Sequence, residues 1–207
     1  MLFKYFLKTK NKIKMKTIKI LLTTIVIAYT LYFVQAQSEA KTYTSSGLYL
    51  TYDDFINHKL SYDGSRMVLN NPFRSKTVTV VADNKKKDMF KNDVYGFQNS
   101  KKEDYRFINN ESYKIVDTAS FYIYYTYKQE EINKGKGLVK TDEYFFSVKG
   151  NSTVYLLTIG NLKKAFAGND KFHYLIDATF KTDKDLLAYD DYLKTYKIKY
   201  LYNQSLK

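Results

Sequence analysis

The chain has no cysteine, no tryptophan, one proline (Pro72) and only three arginines, Arg66, Arg74 and Arg106, among its 34 basic residues. Each shortage removes a class of function. Without cysteine there is no disulfide framework, no thiol nucleophile and no lipid-bearing cysteine behind an export leader. Without tryptophan the largest stacking face for a sugar ring is missing. Lysine in place of arginine lacks the planar fork that reads phosphates and base edges two bonds at a time. Only two histidines are present, His58 and His173, neither with a second histidine at ligand spacing, so no metal site is expected. The sequence also lacks a phosphate-cradling glycine loop, a GxSxG elbow and an acidic calcium loop, and no cofactor is expected.

The formal charge of +13 looks like a nucleic-acid signature until it is divided along the chain. Seven lysines and no acid fall in the first 36 residues, which leaves +6 for the remainder. Nucleic acid is therefore not an expected partner. The 22 tyrosines, with abundant Lys, Asn and Ile, are the residues that AT-rich codons supply, so genome composition accounts for them without a binding role.

What is present first is a leader. From Met15 the chain carries Lys16 and Lys19, an apolar run over 20–34, and then Val34-Gln35-Ala36, which puts small residues at the positions a signal peptidase requires. Cleavage between Ala36 and Gln37 is expected, and the lysine-rich stretch before Met15 makes Met15 the favoured start over Met1. The run is shorter than the roughly 20 apolar residues of a bilayer span, and three threonines interrupt it. An inner-membrane anchor formed by 20–34 is the alternative if the leader stays uncut. The remaining 37–207 reads as a single α+β domain, β-rich over 66–159 and helical over 161–205.

Thr51-Tyr-Asp-Asp54 resembles a capping box, which predicts a short helix over Thr51 to Asn57. Short β-rich runs separated by Asn, Asp, Gly and Lys clusters follow, and they predict an antiparallel meander of about seven strands. Asn109-Asn110, Gly135 to Gly137 and Gly150-Asn151 supply the turns. Asn84 to Lys87 reads as a solvated loop. In Phe121 to Tyr127 both alternating faces are apolar or aromatic, as in a strand covered on both sides, with the C-terminal segment as the expected cover. Two to three C-terminal helices are expected, with Leu162 to Ala167 in the first and Asp170 capping the second. The last is predicted to run from Thr182 to about Gln204, with Leu186, Tyr189, Leu193, Tyr196 and Tyr200 as its apolar stripe and Lys194, Lys197 and Lys199 toward water.

For chemistry, carboxylate pairs are what remains: Asp53, Asp54, Asp142, Glu143, Asp190 and Asp191 are the candidates for a glycosidase-like hydrolase. Adjacent acids point apart on a helix or strand, so adjacency alone builds no pair, and no catalytic residue is assigned. His58, four residues after Asp54, reads as a helix-end histidine, and His173 as a helix residue beside the core. Asn110, Asn151 and Asn203 match the three-residue N-glycan pattern formally.

Ser46 to Phe55 (SGLYLTYDDF), Val94-Tyr-Gly-Phe97 and the tail from Asn161-Leu-Lys to Ser205 resemble a group of uncharacterised exported Bacteroidota proteins, with a GxYxxxxDF opening, a β-rich middle and a helical tail. The resemblance implies a Gram-negative envelope and brings no activity with it. A helical C-terminus is unlike the β-sandwich sorting domains of type IX secretion cargo, so a periplasmic location is favoured, with secretion beyond it the variant. Asp117-Thr118-Ala119 is similar to the short O-glycan acceptor of such bacteria, which makes Thr118 a weak candidate for modification. The expected role is a non-catalytic envelope module that binds a protein or another envelope component, touching membrane only if the leader is uncut.

Overall fold

The computed structural model describes residues 42–69, 76–131 and 138–207. The leader with Ala36 and Gln37, and the turn at Gly135 to Gly137, lie outside the described residues. The fold is α+β, built on one large antiparallel sheet with a few helices, most of them C-terminal.

Among the described residues the sheet has ten strands rather than about seven. In chain order they are β1 (Thr42–Tyr49), β2 (Ser61–Val68), β3 (Thr77–Ala82), β4 (Lys85–Phe90), β5 (Gly96–Gln98), β6 (Asp104–Ile108), β7 (Glu111–Asp117), β8 (Tyr122–Glu131), β9 (Leu138–Ser147) and β10 (Tyr155–Leu156). β1 and β2 both begin before residue 66, where the β-rich stretch is expected to start. The expected lysine loop is β4, paired along its whole length with β3 from Thr77↔Phe90 to Ala82↔Lys85. Those lysines form a strand because they pair rung for rung with Val80, Val81 and Ala82, of which Val80 is buried in the core; cross-strand context outweighs the poor intrinsic preference of lysine.

The order β10-β9-β8-β7-β6-β5-β1-β2-β3-β4 also corrects the simple meander. Two meanders, β1 to β4 and β5 to β10, join side by side where β1 pairs with β5. A one-turn 3-10 helix, Lys91–Asp93, carries the chain from the far edge back to that junction. A Cβ added to Gly96 would overlap the carbonyl oxygen of Tyr105, so only glycine lets β5 lie this close to β6. The Asn109-Asn110 turn forms as expected, with φ of 51° and 68°.

Two cores result. Leu48, Met67, Val78, Val80, Phe97 and Phe107 fill one within β1 to β6. The other sets Phe121, Ile123 and Phe146 of the sheet side against the C-terminal helices. On β8 the residues alternate: Ile123 opposite Phe146 faces those helices, while Tyr122 and Tyr124 turn to the reverse face. Both faces are covered, one by the C-terminal segment and the other by residues of the N-terminal helix region.

The helices are α1 (Tyr52–Ile56), α2 (Ile159–Ala165), α3 (Asp170–Thr179) and α4 (Lys197–Ser205). Thr158 and Asn169 cap α2 and α3, so Asp170 is the first residue of α3 and not its cap. The expected long final helix is broken into a 3-10 turn, Asp183–Leu187, a small hairpin of β11 (Tyr189–Asp190) and β12 (Thr195–Tyr196), and α4. The Asp190 carboxylate accepts the N–H groups of Tyr192 and Leu193 at 2.9 and 2.8 Å, and Lys194 takes φ of 51°. That local side-chain turn displaces the helix that the apolar spacing alone supports. Leu186 is buried as expected, but Tyr189, Leu193 and Tyr200 are exposed and Lys199 is buried.

Candidate functional site

The opening motif builds a packed aromatic cluster. Thr51 and Asp54 form a reciprocal cap: Asp54 N–H donates to Thr51 Oγ1 at 3.0 Å, and the Asp54 carboxylate accepts from Thr51 N–H at 3.0 Å. This aims Phe55 into the reverse face of the sheet, edge-on to Tyr49 at 5.3 Å and against Tyr95 at 5.2 Å. Tyr49 donates to Asp104 Oδ1 at 2.9 Å. The hydroxyls of Tyr52 and Tyr122 are 3.0 Å apart, and Tyr95 donates to the Gly150 carbonyl at 3.0 Å.

Arg106 closes the cluster on its other side. Both terminal guanidinium nitrogens donate to the Ser152 carbonyl at 3.1 Å, and Nη1 also donates to the Tyr124 hydroxyl at 3.1 Å. The guanidinium lies over the rings of Tyr95 and Tyr124, 5.5 and 5.8 Å from their centres. The Tyr124 hydroxyl is also 2.8 Å from Ser147 Oγ, which donates to the Lys149 carbonyl. Burial pushes the phenols of Tyr49, Tyr95, Tyr122 and Tyr124 above their ordinary range, so all four are neutral hydroxyls near neutral pH. The cluster is a filled, hydrogen-bonded core whose chemistry is structural.

The candidate acids are dispersed. Asp54 is committed to its helix cap, and Asp53 is exposed on the same turn. Asp142 accepts the Tyr125 hydroxyl at 2.8 Å. Glu143, its neighbour on β9, points to the opposite face and meets Lys128 at 2.8 Å. Asp190 holds the hairpin turn and Asp191 is exposed beside it. The three acid pairs thus sit on three separate elements, α1, β9 and the β11–β12 hairpin. His58 follows the end of α1 with φ of 52°, which takes it off the helix where Asp54 could have faced it. His173 places Nε2 3.0 Å from the Phe166 carbonyl. Asn203 accepts from Ser120 at 2.8 Å, Asn110 lies in the β6–β7 turn, and Asn151 is exposed.

Thr118 is exposed in the loop between β7 and β8. That loop is held by Lys199, for which the helical spacing predicts a place in water. Lys199 of α4 is fully buried, and its ammonium donates to Asp117 Oδ1 at 2.6 Å, the Ala119 carbonyl at 2.7 Å and the Phe121 carbonyl at 2.6 Å. Asp117 also accepts the Ala119 N–H at 2.8 Å. Burial lowers the Lys199 ammonium to about 8, with the Asp117 carboxylate opposing the shift. All three ammonium protons have an acceptor, so the group locks the helix to the loop.

Two surface features remain. An open recess of about 530 Å³ lies where the end of α2 meets α4, beside Phe166, Gly168, Tyr202 and Leu206, and the Asn169 amide donates across it to Ser205 Oγ at 2.7 Å. At the tip of the β11–β12 hairpin Tyr192 is 93 % exposed, with the half-exposed Leu193 beside it. The hairpin below them is braced by an edge-on contact of Tyr189 and Tyr196 at 5.2 Å. No protein-family model, no curated protein and no solved structure matches this chain.

Proposed function

We propose that this protein is an exported, non-catalytic binding module of a bacterial envelope, released into the periplasm by cleavage after Ala36 and engaging a protein partner. The observation that carries the reading is the tip of the β11–β12 hairpin. A tyrosine 93 % exposed adds nothing to core packing and leaves its whole ring open to a partner. Its backbone N–H is tied to the Asp190 carboxylate, so the ring is presented on a preset turn rather than on a loose loop. Tyrosine on a rigid support offers large contact area with little rotamer entropy to lose, the property that makes it a frequent anchor at protein interfaces. The leader supports export, and the resemblance to exported Bacteroidota proteins supports the Gram-negative envelope; the exposed Thr118 is the proposed modification point.

The test is a photoreactive phenylalanine analogue at position 192, introduced in the native host and read by intact mass after cell fractionation. A soluble envelope species beginning at Gln37, with a discrete adduct at 192 that is absent when the probe stands at exposed Tyr174, supports the module. A full-length species in the membrane pellet overturns the cleavage and puts the anchored form in its place. No adduct at 192 beyond that at 174 removes the hairpin as the binding surface.

A further inference from the structure

We propose that two copies of this chain associate through the free edge of β9, antiparallel and centred on Thr141. β8 and β9 pair from Tyr122↔Ser147 to Glu131↔Leu138, but β7 stays with β8 only as far as Tyr125, and β10 covers β9 only at Phe145 and Phe146. The six rungs from Thr126↔Glu143 to Glu131↔Leu138 therefore form a two-stranded arm, about 20 Å long at strand rise, with no strand on either side among the described residues. A two-stranded ribbon by itself is marginal in water, and an added strand is what stabilises it.

The direction of the backbone groups fixes which pairings are possible. Tyr144 turns its carbonyl outward, where it accepts the Leu157 N–H at 2.8 Å. Alternate residues of an antiparallel strand point the same way, so Asp142 and Lys140 also present N–H and C=O outward. A twofold partner strand must then set outward residues opposite outward residues. Three such registers keep the arms overlapped. Centring on Lys140 sets two lysines face to face, and centring on Asp142 sets two aspartates face to face; both are unfavourable for directly opposed like charges. Centring on Thr141 sets Lys140 against Asp142 of the second copy and Asp142 against its Lys140, with four backbone hydrogen bonds and two opposite-charge pairs on one face. Lys140, Thr141 and Asp142 are all exposed.

The opposite edge of the sheet gives the contrast. β4 also carries a lysine and an aspartate two residues apart, Lys86 and Asp88, but the twofold register that would pair them sets Lys87 directly against Lys87 of the second copy, where β9 has Thr141 against Thr141; the added lysine is the usual guard on an edge strand. The β9 edge carries one lysine and one aspartate two residues apart, an order that pairs with itself under twofold symmetry.

Sedimentation equilibrium of the protein recovered from the envelope, over a concentration series reaching the millimolar range, reads the association. A reversible monomer–dimer equilibrium is expected. Lys140→Asp, which leaves the Asp142–Tyr125 bond untouched, sets aspartates face to face and is expected to weaken the dimer about tenfold or more. Asp142→Lys does the same with lysines. The double swap Lys140→Asp/Asp142→Lys restores the pairing with the signs exchanged and is expected to return the affinity to within about threefold. A parent protein that stays monomeric throughout, single swaps that dimerise like the parent, or a double swap as weak as the singles would each overturn the proposal.

Discussion

Lys199, eight residues from the end of the sequence, holds Asp117 through a 2.6 Å ion pair across the second core and has no exposed surface of its own. The same ammonium satisfies the carbonyls of Ala119 and Phe121, and lies 5.1 Å from the centre of the Phe121 ring. Three acceptors for three protons make it the anchor of α4.

Removing that charge is expected to be severe. Lys199→Met leaves the Asp117 carboxylate half-buried with its cation gone and two carbonyls without a donor, a loss of about 3 to 5 kcal/mol. Urea unfolding of the variant against the parent measures it, and a change below about 1 kcal/mol would show that the latch is not a stabilising element.

The same group gives an unusual pH dependence. The folded ammonium titrates near 8 and the unfolded one near its ordinary 10.5, so between those values the unfolded chain holds more protons and stability rises with pH. The buried phenols act in the opposite sense. Their folded values are raised, so the unfolded chain loses protons first above about 10 and stability falls there. The urea midpoint should climb from pH 7.5 toward 9.5 and then drop, and Lys199→Met should shrink the climb to the part contributed by buried Lys91, whose ammonium burial also lowers, while keeping the drop.

On the acid side Glu103 is the group to watch. Lys114 at 2.7 Å and the Asn99 amide at 2.7 Å hold its carboxyl down to about 2. Its folded value is below the unfolded one, so its contribution is complete above about 4.5 and is lost as pH falls toward 2. Glu103→Gln is expected to flatten the fall in thermal midpoint across that window, and equal slopes for parent and variant would count against the pairing.

Gly150 tests the aromatic cluster. A Cβ there would overlap the rings of both Tyr52 and Tyr122, so Gly150→Ala forces α1 away from β8 and should cost about 1 to 3 kcal/mol. Tyr124→Phe, which strips one acceptor from Arg106, should cost about 1 kcal/mol. Thermal unfolding of both orders them, and a neutral Gly150→Ala would mean that the ring packing yields freely.

What the sequence made legible is local. The Thr51–Asp54 cap and the Asn109-Asn110 turn are complete within four residues, and both form where they were expected. Lys199 was illegible because its acceptors lie about 80 residues away; from its own helix the spacing places it in water. The strand character of Lys85 to Lys87 comes from their rungs to β3, and nothing in three lysines announces it. Tyr189 to Leu193 carry a helical spacing that one carboxylate, Asp190, overrides by capping the turn first. Residue type alone singles out the candidate acids, and their partners, Tyr125 for Asp142 and Lys128 for Glu143, depend on a strand register that no motif encodes.

The junction of the two meanders has a kinetic meaning. In the large sheet each neighbouring pair of strands but one is also consecutive in sequence, and the exception is β1 with β5, three rungs from Gly47↔Gln98 to Tyr49↔Gly96. Strands 1 to 4 and strands 5 to 10 can each zip up from local hairpins, with little loop to close, and must then dock along that short border. The same border is where the protein should part first, in hydrogen exchange or under mechanical load, as two cooperative blocks. Tyr49, Phe55, Tyr95, Gly96 and Phe97 all gather there, and their packed rings and rungs are the adhesive between the two halves.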